Sequence, residues 1–268
     1  MANLEPLIQS IPVAPLKLAS LEGCRTLADQ VNNYLVSFRH ESPTNVGQAD
    51  SLQGYCADSY LLECECPRFG SGEGKGVLKE SVRGCDLFIM VDVTNYSLTY
   101  RVNGYENHMS PDNHYQDLKR IISAADGKAR RINVIMPFLY EGRQHKRSKR
   151  ESLDCALMLQ ELVDMGVSNI LTFDAHDPRV SNSIPLHGFD SFMPTYQFLK
   201  ALVNSVPDFV IDNDHLMIIS PDEGAMGRAV YFSNILGVDM GMFYKRRDYS
   251  TLSTERTRSL PMNFSAMM

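Results

Sequence analysis

The chain has 268 residues, 44% hydrophobic and 22% charged, with a formal net charge of −6. That length and balance allow a sizeable core, in one large domain or two small ones, of an ordinary soluble protein. The negative balance argues against general nucleic-acid affinity, and no apolar run approaches the roughly 18 residues a membrane span needs.

In chain order, residues 1–50 are weakly patterned, with a helix expected over Leu18 to Val36 and no secretion signal at the start. From about Asp86 the pattern sharpens. Residues 87–93 (LFIMVDV), 132–136 (INVIM), 169–173 (NILTF), 216–220 (LMIIS) and 240–244 (MGMFY) are compact apolar runs of strand length. Their near-continuous hydrophobicity predicts strands covered on both faces, as in parallel sheets. Helix-period segments lie between them at Tyr115–Ala125, Leu153–Met165, Tyr196–Val203 and Ala225–Leu236, with Ser152 as the expected N-cap and Gly166 as the expected C-cap of the second. Strands alternating with helices imply an α/β fold. Six cysteines without a C-x-x-C pair read as reduced thiols of a cytoplasmic protein, not as a disulfide framework or zinc site.

In open α/β sheets, ligands gather beyond the carboxyl ends of the strands. Pro137 and the segment FLYEGRQHKRSKR follow the second run; Asp174-Ala175-His176-Asp177 follow the third. Pro221, Asp222 and Glu223 follow the fourth, and Lys245-Arg246-Arg247 the fifth. Any one of these reads as a solvated loop, Asp222 as a helix N-cap and His176 as a structural histidine. Four together suit a polyanion carried with a divalent metal. Asp174 and His176, two apart at a strand end, can project the same way. The segment FGSGEGKG (69–76) is not a P-loop, because Phe69 replaces its first glycine and Gly76 its metal-binding Ser/Thr. The basic run Arg143 to Arg150 can be read as a nucleic-acid or nuclear-import patch. Its position between a strand and a helix favours a loop that closes cations over transferring phosphates.

At these residues the chain resembles the ribose-phosphate pyrophosphokinases (phosphoribosyl pyrophosphate synthetases). RFGSGE with KESVRGCDLFIM resembles the family's adenine-contacting Phe-Ser-Asp-Gly-Glu segment and its Val-Arg-Gly strand. VIMPFLYEGRQHKR resembles the strand, Tyr-x-Arg-Gln ATP segment and flexible loop, and FDAHD the Asp-Leu-His-Ala motif. SPDEGAMGRA resembles Ser-Pro-Asp-x-Gly with its helix, and KRRDYS the Lys-Arg-Arg segment. The resemblance implies two phosphoribosyltransferase-like α/β domains with mainly parallel sheets, the second incomplete: residues 1–190 with an N-terminal extension, and residues 191–268.

It further implies that Phe69, Ser71 and Glu73 contact adenine across a subunit interface in a homo-oligomer, and that Arg143 and Gln144 hold ATP. His176, supported by Asp174, would bind Mg²⁺ and phosphate; Asp222 would serve Mg²⁺ or the ribose; Lys245 and Arg247 would stabilise the transferring group. The implied reaction passes pyrophosphate from ATP to ribose 5-phosphate, with Mg²⁺ as cofactor and neither nucleic acid nor membrane as partner. Two departures stand out: Ser71 where Asp is common, and His145 after Arg-Gln where an acidic residue is usual.

The family continues past its Lys-Arg-Arg segment into a strand and the loop that cradles the ribose 5-phosphate. This chain instead ends in LSTERTRSLPMNFSAMM, which has no strand pattern. One choice of codons for residues 253–268, read two nucleotides in, encodes a peptide resembling this branch of the family, so a frameshift is expected. The expectation is then an unpaired sheet edge and little turnover by the chain as written. The alternative is a non-catalytic, synthetase-associated regulatory subunit that binds nucleotide.

Overall fold

A computed structural model describes residues 14–41, 54–247 and 262–267, with side chains excepted at Glu41, 244–247 and 262–267. The described residues divide into two units between Met193 and Pro194. Each is an α/β arrangement, as the strand and helix alternation implied.

In the first unit a six-stranded sheet runs β10-β9-β8-β5-β1-β2, with every neighbouring pair parallel. The strands are β1 (Leu16–Ser20), β2 (Leu61–Leu62), β5 (Asp86–Met90), β8 (Arg131–Ile135), β9 (Val167–Phe173) and β10 (Gly188–Phe192). Helix α1 (Arg25–Glu41) follows β1, α2 (Pro111–Ala124) precedes β8, and α3 (Asp154–Asp164) precedes β9. Leu118, Ile121, Met158, Leu159 and Leu162 of α2 and α3 pack on Leu87, Ile89, Ile132, Val134 and Ile170 in one continuous core. Cys24 and Ala28, at and beside the start of α1, pack on Leu18 and Met90, which point to the opposite face. Two faces covered by helices explain the unbroken apolar runs.

Several local expectations need correction. The helix expected over Leu18 to Val36 is a strand followed by a helix: Leu18 and Ala19 are buried between β2 and β5, and pairing with those strands outweighs the local pattern. Helix α2 starts at Pro111, four residues before the predicted start, because Ser110 Oγ accepts from the Asn113 N–H at 3.3 Å and proline suits the first helical position. Ser152 does not cap α3: its hydroxyl donates to the Asp154 carboxylate, and Leu153 takes the cap position without a side-chain bond. Gly166 follows the end of α3 at φ 90°, a left-handed conformation that glycine adopts without a Cβ penalty.

Strand β10 was not expected. It is an edge strand of alternating character, and a Cβ at Gly188 would lie 2.3 Å from Asn169 Oδ1, so glycine is needed for it to pair with β9. A hairpin was missed too: β6 (Thr99–Val102) and β7 (Tyr105–His108) join through Asn103-Gly104, both at positive φ (51° and 86°), the usual chemistry of a two-residue turn.

The second unit contains α4 (Thr195–Ser205), β11 (Ile218–Ser220), α5 (Met226–Leu236), β12 (Met240–Arg247) and β13 (Met262–Met267). Its three-stranded sheet pairs β11 with β12 in parallel and β12 with β13 antiparallel. Residues 262–267, where the sequence showed no strand pattern, pair with β12, so that β13 rather than β12 forms that edge of the sheet. Because of that pairing, Lys245, Arg246 and Arg247 lie within β12, whereas the sequence suggested that they follow the strand.

All six cysteines are free thiols. Burial pushes the thiols of Cys24, Cys64 and Cys155 up to about 11 and that of Cys66 up to about 12, whereas Cys56 is exposed. Thiolate is the reactive form. At pH 8 a disulfide reagent should therefore titrate one thiol quickly in the native chain, at Cys56, and the rest only on unfolding. Rapid labelling of Cys64 or Cys66 would contradict this burial.

Candidate active site

The segment FGSGEGKG (69–76) lies in a hairpin. Strands β3 (Cys64–Glu65) and β4 (Val77–Leu78) pair antiparallel, and Arg68 bridges Gly74 in the connection between them. No helix follows the glycines, in keeping with rejection of a P-loop. The Phe69 N–H donates to the Glu73 carbonyl at 2.7 Å and the Gly72 N–H to the Phe69 carbonyl at 2.9 Å. Ser71 Oγ donates to Glu73 Oε2 at 2.8 Å, fixing that carboxylate, while Phe69 is 53% exposed and offers an aromatic face.

Beneath the turn lies a charged network that sequence reasoning did not identify. Arg68 Nη1 and Nη2 donate to the two oxygens of Asp117 on α2, at 2.6 and 2.8 Å, and Arg120 Nη1 donates to Asp117 Oδ1 at 2.6 Å. The side chains of Arg68 and Asp117 are only 10% and 6% exposed. A Cβ at Gly74 would come within 2.2 Å of the Arg68 guanidinium, so the turn is seated directly on this pair.

Beyond β8, Tyr140 anchors the basic loop. Its ring stacks on Tyr115 at 4.5 Å and its hydroxyl donates to Asp112 Oδ1 at 2.6 Å. Burial, with Asp112 as partner of Tyr140 and Glu161 as partner of Tyr115, holds both phenols well above their ordinary range. Arg143 then lies over the Phe138 ring at 5.7 Å, and Gln144 Nε2 donates to the Ser152 carbonyl at 2.7 Å.

Beyond β9, Asp174 takes a left-handed backbone, φ 44°, and its N–H donates to the Phe192 carbonyl at 2.9 Å. The Ala175 N–H donates to Ser191 Oγ at 3.0 Å, so the end of β9 is tied to that of β10. Both bonds turn the chain out of the sheet and leave His176 exposed. His145 of the basic loop meets His176 edge-on, with ring centroids 5.1 Å apart, and its Nε2 lies 3.6 Å from Asp177 Oδ2. The Arg179 guanidinium bonded to Asp177 holds that carboxyl well below the usual carboxylate range. The structure thus brings Arg143, Gln144 and His176 to neighbouring loops of one sheet end. Phe69, Ser71 and Glu73 sit on the separate hairpin.

In the second unit, Asp222 caps a short 3-10 turn (Glu223–Ala225), accepting from the Ala225 N–H at 3.1 Å. Lys245 and Arg247 lie on β12, and their side chains fall outside the described residues. Among the described residues no group of three His, Cys, Asp or Glu gathers at metal-ligand spacing, and no helix is long and apolar enough to cross a membrane.

Residues 16–166, more than half of the chain, match the N-terminal domain of ribose phosphate pyrophosphokinase. The chain belongs to the ribose phosphate pyrophosphokinase family. It is 28% identical over 191 residues to a ribose-phosphate pyrophosphokinase of Staphylococcus epidermidis, covering 70% of this chain and 53% of that protein. Over 198 residues it is 28% identical to the enzyme of that name from Clostridium perfringens, with 72% and 56% covered. The chain therefore spans about half the length of the curated relatives it matches. The crystal structure of phosphoribosylpyrophosphate synthetase from Mycobacterium smegmatis shares the fold, with a TM-score of 0.63 at 21% identity over 87% of this chain and 65% of that one. The matched domain of the pyrophosphokinase family contains the Phe69 hairpin, the basic loop and α3, and stops just before β9, beyond which lie Asp174 and His176.

Proposed function

We propose that this chain serves the reaction of its family, transfer of pyrophosphate from ATP to the anomeric hydroxyl of ribose 5-phosphate, giving phosphoribosyl pyrophosphate and AMP. The observation that carries the reading is the meeting of two loops at one sheet end, the cation-bearing loop with Arg143 and Gln144 and the β9 end with Asp174 and His176, joined by the His145–His176 contact. A sheet end with an exposed imidazole beside fixed cations suits a metal-bound polyphosphate.

In this reading Phe69 lays its exposed ring on adenine and Glu73, held by Ser71, accepts from the adenine amino group, in a homo-oligomer whose hairpins serve neighbouring subunits. Arg143 and Gln144 bind phosphate oxygens. His176, with Asp174 beside it, orients the β-phosphate, and Asp222 of the second unit is a carboxylate suited to a sugar hydroxyl or Mg²⁺. Lys245 and Arg247 neutralise charge that develops as the anomeric oxygen attacks the β-phosphorus. The bond from β-phosphorus to its bridging oxygen breaks, AMP leaves with the electron pair, and the hydroxyl proton passes to solvent.

A sparse protein donor set fits Mg²⁺, which keeps waters and uses one or two protein ligands with substrate phosphates. Asp174 and His176 of the first unit would hold it, and when bound it would supply neutralisation of the phosphate oxygens. The chemistry is that of a soluble cytoplasmic enzyme acting on small molecules, with no role for nucleic acid or membrane.

The test is direct titration of the 268-residue chain with ATP and Mg²⁺, followed by an assay of AMP release on adding ribose 5-phosphate. Magnesium-dependent ATP binding with AMP release that requires ribose 5-phosphate is the expected result. Binding without AMP release would favour the non-catalytic, synthetase-associated subunit, and no binding at all would overturn both.

A further inference from the structure

We infer that His145 and Asp177 form a latch that holds the basic loop, Arg143 to Arg150, against the carboxyl end of β9. The inference deepens the reading above in one respect, because that loop carries Arg143 and Gln144; the contact itself does not depend on which reaction is run.

Three observations support it. His145 has 13% of its side chain exposed and Asp177 12%, although both belong to surface loops, so the pair is shielded where its neighbours are not. Asp177 is held from its other side: its Oδ1 accepts from the Arg179 N–H at 3.0 Å and from Arg179 Nε at 2.9 Å, while Arg179 itself is 78% exposed. The carboxylate is therefore a fixed post and the imidazole the part that docks. The His145 ring is oriented on its far side too, with Nδ1 3.1 Å from the Arg143 carbonyl oxygen, so both ring nitrogens face oxygens and the edge meets His176. On the loop's other flank, Gln144 Nε2 bonds to the Ser152 carbonyl, which closes the loop on itself.

His145 and Asp177 are positioning residues: they place Arg143, Gln144 and His176 relative to one another.

The test uses trypsin, because the loop offers Lys146, Arg147, Lys149 and Arg150 as cleavage sites. Asp177→Asn and His145→Asn, which remove the contact without adding bulk, should each speed cleavage in the loop about fivefold in the intact 268-residue chain, the scale of one lost polar contact. The double variant should be cleaved no faster than either single. The exchange His145→Asp with Asp177→His should restore the parent rate, as a merely structural defect would not. Arg179→Ala, which leaves the pair in place, should give slower cleavage than Asp177→Asn. Unchanged rates in the two singles, or effects that multiply in the double, would overturn the latch. This arm needs no substrate, so its failure leaves the proposed reaction standing, and failure of ATP binding leaves the latch standing.

Discussion

Replacing Asp117 with alanine should destabilise the first unit by about 3–5 kcal/mol, the scale for removing one partner of a buried ion pair. For a unit of this size that is a fall in melting temperature on the order of 10 °C. The cost arises because Asp117 is shared: Arg68 grips both of its oxygens and Arg120 one of them, so its loss strands two cations, one of them almost wholly shielded. The compensated change Arg68→Met with Asp117→Leu should cost much less than Asp117→Ala, since apolar side chains of similar volume carry no desolvation penalty and Arg120 can turn to water. Differential scanning calorimetry of the three proteins decides it. A melting curve of Asp117→Ala that overlays the parent would show that the network contributes nothing. Because the Phe69 turn rests on Arg68, the same variant should weaken ATP binding even where it is fully folded.

Substituting His176 with alanine should lower affinity for ATP in the presence of Mg²⁺ about 10- to 100-fold, the range for a group that supports a bound metal. Affinity for ATP with the metal chelated should change far less, because the adenine contacts proposed for the Phe69 hairpin would remain. The melting temperature should hold, since His176 is exposed. Isothermal titration with and without chelator separates the cases. An equal loss in both would move His176 from the metal to the nucleotide, and no loss in either would remove it from the site.

The parts of the fold legible in the sequence were those whose physics is local. Leu87 and Ile89, Ile132 and Val134, and Ile170 lie on strands covered from both sides, and such strands must be apolar throughout. Strand β1 was not legible: LKLAS is short and carries a lysine, and its neighbours in the sheet are residues 61–62 and 86–90. Strand β10 was hidden for a related reason, since an edge strand alternates apolar and polar residues and needs Gly188 opposite Asn169. The β6–β7 hairpin did carry a signal, Asn103-Gly104 between Tyr100 and Val102 on one side and Tyr105 on the other.

Of the candidate site, residue types and order could be read, but pairings could not. His145 and Asp177 are 32 positions apart, and Arg68 and Asp117 are 49 apart. Nothing in either neighbourhood names its partner. The missed signal was charge in an unexpected place, an aspartate directly after the Asp-Ala-His segment and a histidine inside a run of lysines and arginines.

The position of β1 has a consequence for how the first unit is made. Leu16 pairs with Asp86, 70 positions further on, and the central sheet has no antiparallel neighbour by which a local hairpin could start it. Closing so long a loop costs entropy before any ladder bond repays it. During synthesis the edge of the first strand that faces β5 must therefore wait until Met90 has left the ribosome, while β2 offers its other edge only two residues, earlier on. Refolding should be slow for a domain of this length, and chains arrested between Leu62 and Asp86 should be the most prone to aggregate.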